Sequence, residues 1–244
     1  FISVFLDAGA GDEWKFKYNN KEYNRSEGLA MAAFDMFDKG IFSSDKALPH
    51  RVNSYKLINL TRADLIEGFQ LTKSNYLIGL DGRLNILRNF GKILEENKKC
   101  FGKEIVRPGN IIDYLGTNNI DFNELSDIIF NFSSLTQDVH MHSDLNMYIP
   151  YHKLLQWLLY SLIDLFIKFK INVVNTDSLT ALPEYRNGGM LVDLEIIKVK
   201  DDNLLMEKHK INSDLIIEWR CLTISIIDLI KEKVNKKLTS NLHL

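Results

Sequence analysis

The twenty residues from Tyr151 to Lys170, Y-H-K-L-L-Q-W-L-L-Y-S-L-I-D-L-F-I-K-F-K, are apolar on nearly every side of a helical projection. Gln156, Ser161 and Asp164 are the polar interruptions inside the run. A helix without a polar face has no place on a surface, so this one is expected at the centre of a helical core. It carries charges and falls short of the roughly 18 uncharged apolar residues a membrane span needs.

The rest of the chain supplies helical partners for it. Leu80, Leu84, Leu87, Phe90 and Leu94 form one apolar stripe at helical spacing. Thr61, with an acid in the following turn, opens a further helix, and Ser26 caps one that carries Phe34 and Phe37 and stops at Gly40. Ile111–Leu115 and Phe122–Phe132 predict shorter helices, and Leu215–Leu238 a long last one that ends in lysine-rich turns. Strand signals are few. The opening apolar residues and W-K-F-K-Y, followed by N-N-K, predict a short strand and a hairpin. Leu191–Val199 alternates in part as a strand and is closed by the turn D-D-N at Asp201–Asn203; Arg107–Asn110 is a loop. The expected fold is mainly α: a single helical domain over residues 1–244 with a small β element.

Composition narrows the function classes. A net charge of -2 and a pI near 6.3 give no basic field for a long nucleic acid. Cys100 and Cys221 lie far apart without metal-ligand spacing, which fits a reducing compartment such as the cytoplasm and no disulfide. The chain begins F-I-S-V-F-L-D, with neither Met nor a basic leader, and so reads as the C-terminal part of a longer protein rather than a signal peptide.

Three segments set charge among apolar neighbours. L-T-A-L-P-E-Y-R-N-G-G (Leu179–Gly189) holds Glu184, Tyr185, Arg186 and Asn187 between a proline and two glycines. I-E-W-R holds Glu218, Trp219 and Arg220; Y-H-K-L-L-Q-W holds His152, Lys153 and Gln156, with His152 and Gln156 on one helical face. Each has a plain structural alternative: a turn in which Gly188 takes a positive φ, a buried ion pair with a stacked indole, and a helix-start histidine. Lys98-Lys99 and Lys231–Lys237 fit solvated faces. D-A-G-A-G-D (Asp7–Asp12) resembles a phosphate cradle only weakly, lacking the Lys-Ser/Thr of a P-loop. His140 and His142 are two apart with no cluster of further ligands, and there is no Gly-x-Ser-x-Gly elbow, so neither a metal, a cofactor nor an esterase is expected.

Taken together, V-F-L-D-A-G-A-G-D-E-W, R-S-E-G-L-A, F-D-M-F, G-I-F-S-S-D, Y-H-K-L-L-Q-W-L-L-Y-S-L, L-T-A-L-P-E-Y-R-N-G-G and I-E-W-R resemble, from end to end, a family named for uracil catabolism in fungi and also found in bacteria. That resemblance implies a place in a pathway that opens the uracil ring at the nucleotide level and leaves a ribosyl-urea that must lose its sugar. Y-H-K-x-x-Q, P-E-Y-R and E-W-R also resemble, more distantly, the queuosine-salvage N-glycosidases, whose architecture is similar to helical DNA glycosylases and whose corresponding loop carries an acid before Tyr-Arg. The chain departs from the first family between Asn118 and Asn146, where His140 stands in place of a frequent Trp, and no substrate contact is carried over to that stretch.

These resemblances lead to hydrolysis of an N-glycosidic bond in a ribosyl-urea or a related uracil-derived nucleoside or nucleotide, without a cofactor. An oxocarbenium-like transition state needs a fixed carboxylate beside the anomeric carbon, and Glu184 is the candidate. Arg186 would orient it or bind a carbonyl or phosphate. Asp7 and His152 would activate water and protonate the leaving nitrogen. Glu218 and Arg220 would form a buried supporting pair, and Trp14 or Trp219 would stack on a planar group. Arg25 or Lys153 would take a 5′-phosphate, with Gln156, Tyr185 and Asn187 completing the wall. The rival is a non-catalytic protein binding the same metabolite; a third reading, a urea- or amide-cleaving hydrolase, would release ammonia.

Overall fold

A computed structural model describes residues 1–238. The elements are α1 (Ile2–Leu6), β1 (Phe16–Tyr18), β2 (Lys21–Tyr23), α2 (Arg25–Asp38), α3 (Ser54–Ile58), α4 (Arg62–Gly68), α5 (Leu80–Glu96), α6 (Lys98–Phe101) and α7 (Ile111–Leu115). They continue with β3 (Asn119–Asp121), α8 (Phe122–Phe130), α9 (Ser133–Thr136), β4 (Val139–His142), β5 (Met147–Pro150), α10 (Lys153–Lys168), β6 (Asn172–Val174), α11 (Tyr185–Asp193) and α12 (Asp214–Leu238). The protein is thus mainly α with short strand pairs. It divides into two compact units, residues 1–125 with 166–172, and residues 126–165 with the chain from 173 onward. No described helix is long and apolar enough to cross a membrane.

In the first unit the stripe of α5 is buried as its spacing requires: Leu87, Phe90 and Leu94 are fully enclosed. On the neighbouring turn Gly91 lets α3 approach, since a Cβ there would stand 2.9 Å from Leu57 and Ile58 side-chain atoms. Thr61 and Asp64 cap each other's backbone at the start of α4 in a reciprocal capping box. The expected hairpin forms, with Phe16 opposite Tyr23 and Asn19 and Asn20 in the left-handed conformation that a tight hairpin turn demands.

The opening residues depart from expectation by forming the helix α1. Val4, Phe5 and Leu6 are buried in succession, which a strand with alternating faces does not allow. The glycine-bearing loop after α1 also has a different use from a phosphate cradle. Its carbonyls face a cation: Arg83 donates to the carbonyls of Leu6 (3.1 Å), Ala8 (2.9 Å) and Gly9 (3.2 Å) and to that of Ile78. Burial lowers the pKa of Arg83, partly offset by the charge of Asp7.

In the second unit β4 and β5 form an antiparallel hairpin with Met141 opposite Tyr148. Helix α10 buries Leu155, Leu158, Leu159 and Leu162, but Leu165 and Ile167 are 48% and 62% exposed. It is therefore enclosed on one side, not all round as the sequence suggested. No strand forms over Leu191–Val199. The chain there ends helix α11, in which Gly188 and Leu191 share the buried face, and turns at Glu195 with φ 54°. The apparent alternation beyond it leaves Leu194 and Ile196 exposed.

Candidate functional site

The approach to Glu184 is fixed by its neighbours. Tyr160 Oη donates to the carbonyl of Thr180 (2.8 Å), Thr180 Oγ1 donates to Gln156 Oε1 (3.0 Å), and the Ala181 N–H donates to Asp228 Oδ1 (2.9 Å). Gln156 also donates to the carbonyl of Tyr151 (3.2 Å) and is buried. Its amide is bonded at both ends inside the protein and so holds the segment in place.

The segment then enters α11 instead of continuing as a loop. Glu184 is the N-cap residue, but its carboxylate makes no capping bond; it accepts an ion pair from Lys153 Nζ at 2.9 Å, with 42% of its side chain exposed. Gly188 lies inside the helix, without the positive φ a turn would give it. A Cβ there would come 2.7 Å from Trp219 Cε2 and 2.8 Å from Thr223 Oγ1, so the glycine lets α11 lie against α12. A Cβ added at Gly189 would meet nothing within 4 Å among the described residues. Gly188→Ala is expected to lose about 1–3 kcal/mol by overpacking, while Gly189→Ala gains up to about 1 kcal/mol of helix propensity. Urea unfolding of the two variants checks the opposite signs.

Lys153 connects Glu184 to a second, buried group. Its backbone N–H donates to Asp138 Oδ2 (3.1 Å), and Arg220 grips Asp138 with two bonds, at 2.8 and 3.0 Å. The Arg220 guanidinium lies 3.8 Å from the centre of the Tyr151 ring, a cation–π contact. Tyr151 Oη donates to the carbonyl of Ile217 (2.5 Å). Burial pushes the Asp138 carboxyl up, but the bonds from Arg220 and its charge outweigh that and hold it below the usual carboxylate value of 3.8.

The expected Glu218–Arg220 pair is therefore replaced. Arg220 belongs to Asp138, while Glu218, with 58% of its side chain exposed, faces His142 Nε2 at 3.3 Å. Residues two apart on a helix point in different directions, which separates Glu218 from Arg220. The buried His142 also has Asp214 4.0 Å from Nδ1; among the described residues no group of three or more His, Cys, Asp or Glu is arranged to hold a metal ion.

His152 opens α10 in a strained left-handed conformation, φ 48°. Its ring packs at 5.6 Å from that of Phe130, its buried Nδ1 has no hydrogen-bond partner among the described residues, and burial lowers its pKa from the usual 6.5. Tyr185 and Trp219 pack ring against ring at 5.7 Å, and the buried Trp219 Nε1 likewise has no hydrogen-bond partner among the described residues. Arg186 is exposed and Asn187 half-buried on the first turn of α11. An apolar cavity of about 460 Å³, walled by Ile197, Leu204, Leu215, Ile216, Trp219 and Leu222, meets α11 further along, at Gly189, Val192 and Asp193.

The second unit thus brings together Glu184, Lys153, His152, Tyr185, Trp219 and Arg220, and adds Asp138 and Tyr151, which the sequence reading missed. Asp138 lies in a stretch with no helical period to place it; its nearness to two histidines was the available signal. Asp7, Trp14 and Arg25 belong to the first unit. Trp14 has no free face for stacking: it is fully buried, crosses the Phe69 ring at 80° and donates from Nε1 to the Phe69 carbonyl (3.0 Å). Asp7 ends α1 beside Arg83, and Arg25 is exposed, 4.0 Å from Asp12.

Fold and site together define a mainly helical protein whose second unit holds a lysine-paired carboxylate at a helix start, backed by a buried aspartate–arginine pair. The chain belongs to the family described as "Protein of unknown function (DUF1688)", whose model matches residues 1–139 and 117–244. It is 37% identical over 253 residues to "Protein urg3" of Schizosaccharomyces pombe, and 36% identical over 292 residues to "Uracil catabolism protein 4" of Lachancea kluyveri. Each alignment covers 99% of this chain but 63% and 66% of those relatives, so the chain spans just under two thirds of their length.

Proposed function

We propose that the protein acts in uracil catabolism and hydrolyses the N-glycosidic bond of a ribosyl-urea or a closely related uracil-derived nucleoside or nucleotide. The pathway rests on the name of the Lachancea relative. The observation that carries the chemistry is the Glu184–Lys153 pair at 2.9 Å: a half-exposed carboxylate held at a helix start and spared from capping. In that position it offsets the positive charge that grows on the anomeric carbon as the C–N bond breaks. Water supplies the new C–O bond, and the urea nitrogen leaves with a proton. His152, whose pKa burial lowers, takes the proton of the attacking water and passes it to the leaving urea nitrogen. Tyr185 and Trp219 offer ring surface to a planar ureido group.

Incubation of the purified protein with ribosyl-urea, its 5′-phosphate and uridine, followed by assay of reducing sugar, tests this. Release from one of them is expected; saturable binding with no release favours a metabolite-binding protein. The base also sets a pH dependence. Because the His152 pKa is lowered, the neutral form persists below pH 6.5, and the acid limb of kcat/KM is expected below that value. His152→Asn, which tolerates the positive φ, is expected to remove the limb and most of the rate. A limb unchanged in His152→Asn assigns the base elsewhere.

A further inference from the structure

Apart from Trp219, the glycosidic chemistry uses nothing in the cavity between α11 and α12. It is built within the second unit from three consecutive stretches of chain: α11 from Gly189, residues 197–209 with their turn at Asp202–Met206, and α12 from Leu215 to Leu222. Its volume of about 460 Å³ falls within the range of about 300–1,000 Å³ typical of small-molecule sites. The walls are mainly aliphatic, with Trp219 as their aromatic member. Leu205 and Leu222 line the cavity and are still exposed, so its apolar surface is open to solvent.

Gly189 adds to the open space. A glycine inside a helix is conformationally costly, and at Gly188 the closeness of Trp219 and Thr223 accounts for it. Gly189 has no such neighbour. It borders the cavity, and a Cβ there would meet nothing within 4 Å among the described residues.

The charges on the lining are unequally matched. Glu218 is held from behind: the Leu145 N–H donates to Nδ1 of the buried His142 (3.3 Å), which leaves the ring proton on Nε2, and Nε2 donates it to Glu218 Oε1 (3.3 Å). The other Glu218 oxygen has no partner among the described residues. Asp193 and Glu207 also border the cavity, without an ion pair among the described residues. Of the basic groups on the lining, Lys198 is paired with Glu195 (3.4 Å) and His209 Nε2 donates to the Leu204 carbonyl (2.6 Å), which leaves Lys200. Three carboxylates thus stand beside one unpaired ammonium.

We propose that this cavity binds an organic cation, an amine carried on an apolar body. The body leaves water for the aliphatic walls and Trp219, and the ammonium donates to the oriented carboxylate of Glu218. Binding is read without turnover, so this site stands or falls apart from the role of Glu184.

Thermal unfolding and calorimetric titration of the whole protein at pH 7 with 4-phenylbutylamine, 4-phenylbutanol and 4-phenylbutyrate test it, since the three share one apolar body and differ in charge. The amine is expected to bind saturably and raise the melting temperature, the alcohol to bind at least tenfold more weakly, and the acid more weakly still. Glu218→Gln keeps an acceptor for His142 and removes the charge, and is expected to bring the amine down to the affinity of the alcohol. Gly189→Leu fills the cavity and is expected to weaken amine and alcohol alike. The Glu218 side chain is largely exposed, so its glutamine variant folds even if Gly189→Leu does not. Equal binding of amine and alcohol, or unaltered amine affinity in Glu218→Gln, overturns the cation assignment. Unaltered binding in a folded Gly189→Leu, or no binding of any of the three, overturns the site itself.

Discussion

Glu184→Gln is expected to lower the rate of sugar release by about 10²- to 10³-fold, the range measured when one preorganised charge-stabilising group is removed from an active site. The substitution keeps size and hydrogen-bonding reach and removes the negative charge. Its structural cost is expected to be small. The carboxylate makes no capping bond, and its ion pair with Lys153 is partly exposed, a class worth about 0–1 kcal/mol. A urea unfolding curve close to wild type together with a collapsed kcat is the expected combination. A wild-type rate in Glu184→Gln removes this carboxylate from the chemistry.

The largest stability effect is expected at Arg220. Removing its guanidinium with Arg220→Ala leaves Asp138 largely enclosed and without its cation, and strips the stacked charge from Tyr151. Breaking a buried pair from one side costs about 3–5 kcal/mol. The acid dependence has a definite sign. Asp138 is depressed in the folded protein, so its contribution is present above the ordinary carboxylate value of 3.8 and is lost as pH falls through the lower folded value. Asp138→Asn is therefore expected to lie well below wild type in urea unfolding at pH 7. The gap should narrow as the wild type is acidified through that window. A constant gap would mean that the aspartate acts by shape and not by charge.

Much of the fold was legible because it rests on helical periodicity. The stripe from Leu80 to Leu94, the cap at Thr61 and the last helix all follow from spacing that a single amphipathic face imposes. Failures came where a short apolar run has no period of its own. Residues 2–6 bury neighbours in succession and form a helix, and Leu191–Val199 alternates without being a strand. The segment around Glu184 takes a different conformation from the loop its sequence predicts. Two glycines suggested a turn, whereas Gly188 is small because Trp219 lies against it. Partner identity was the least legible part. Arg220 meets Asp138 across 82 positions of sequence, a distance at which spacing says nothing. Trp14, grouped with the site by its motif, is core because Phe69 accepts its indole N–H.

Product stoichiometry tests the central claim most directly. With ribosyl-urea or its 5′-phosphate as substrate, the wild-type protein is expected to release sugar and intact urea in equal amounts, with no ammonia, as required by cleavage at the anomeric carbon. Ammonia in place of urea, or sugar release that does not depend on Glu184, would contradict it.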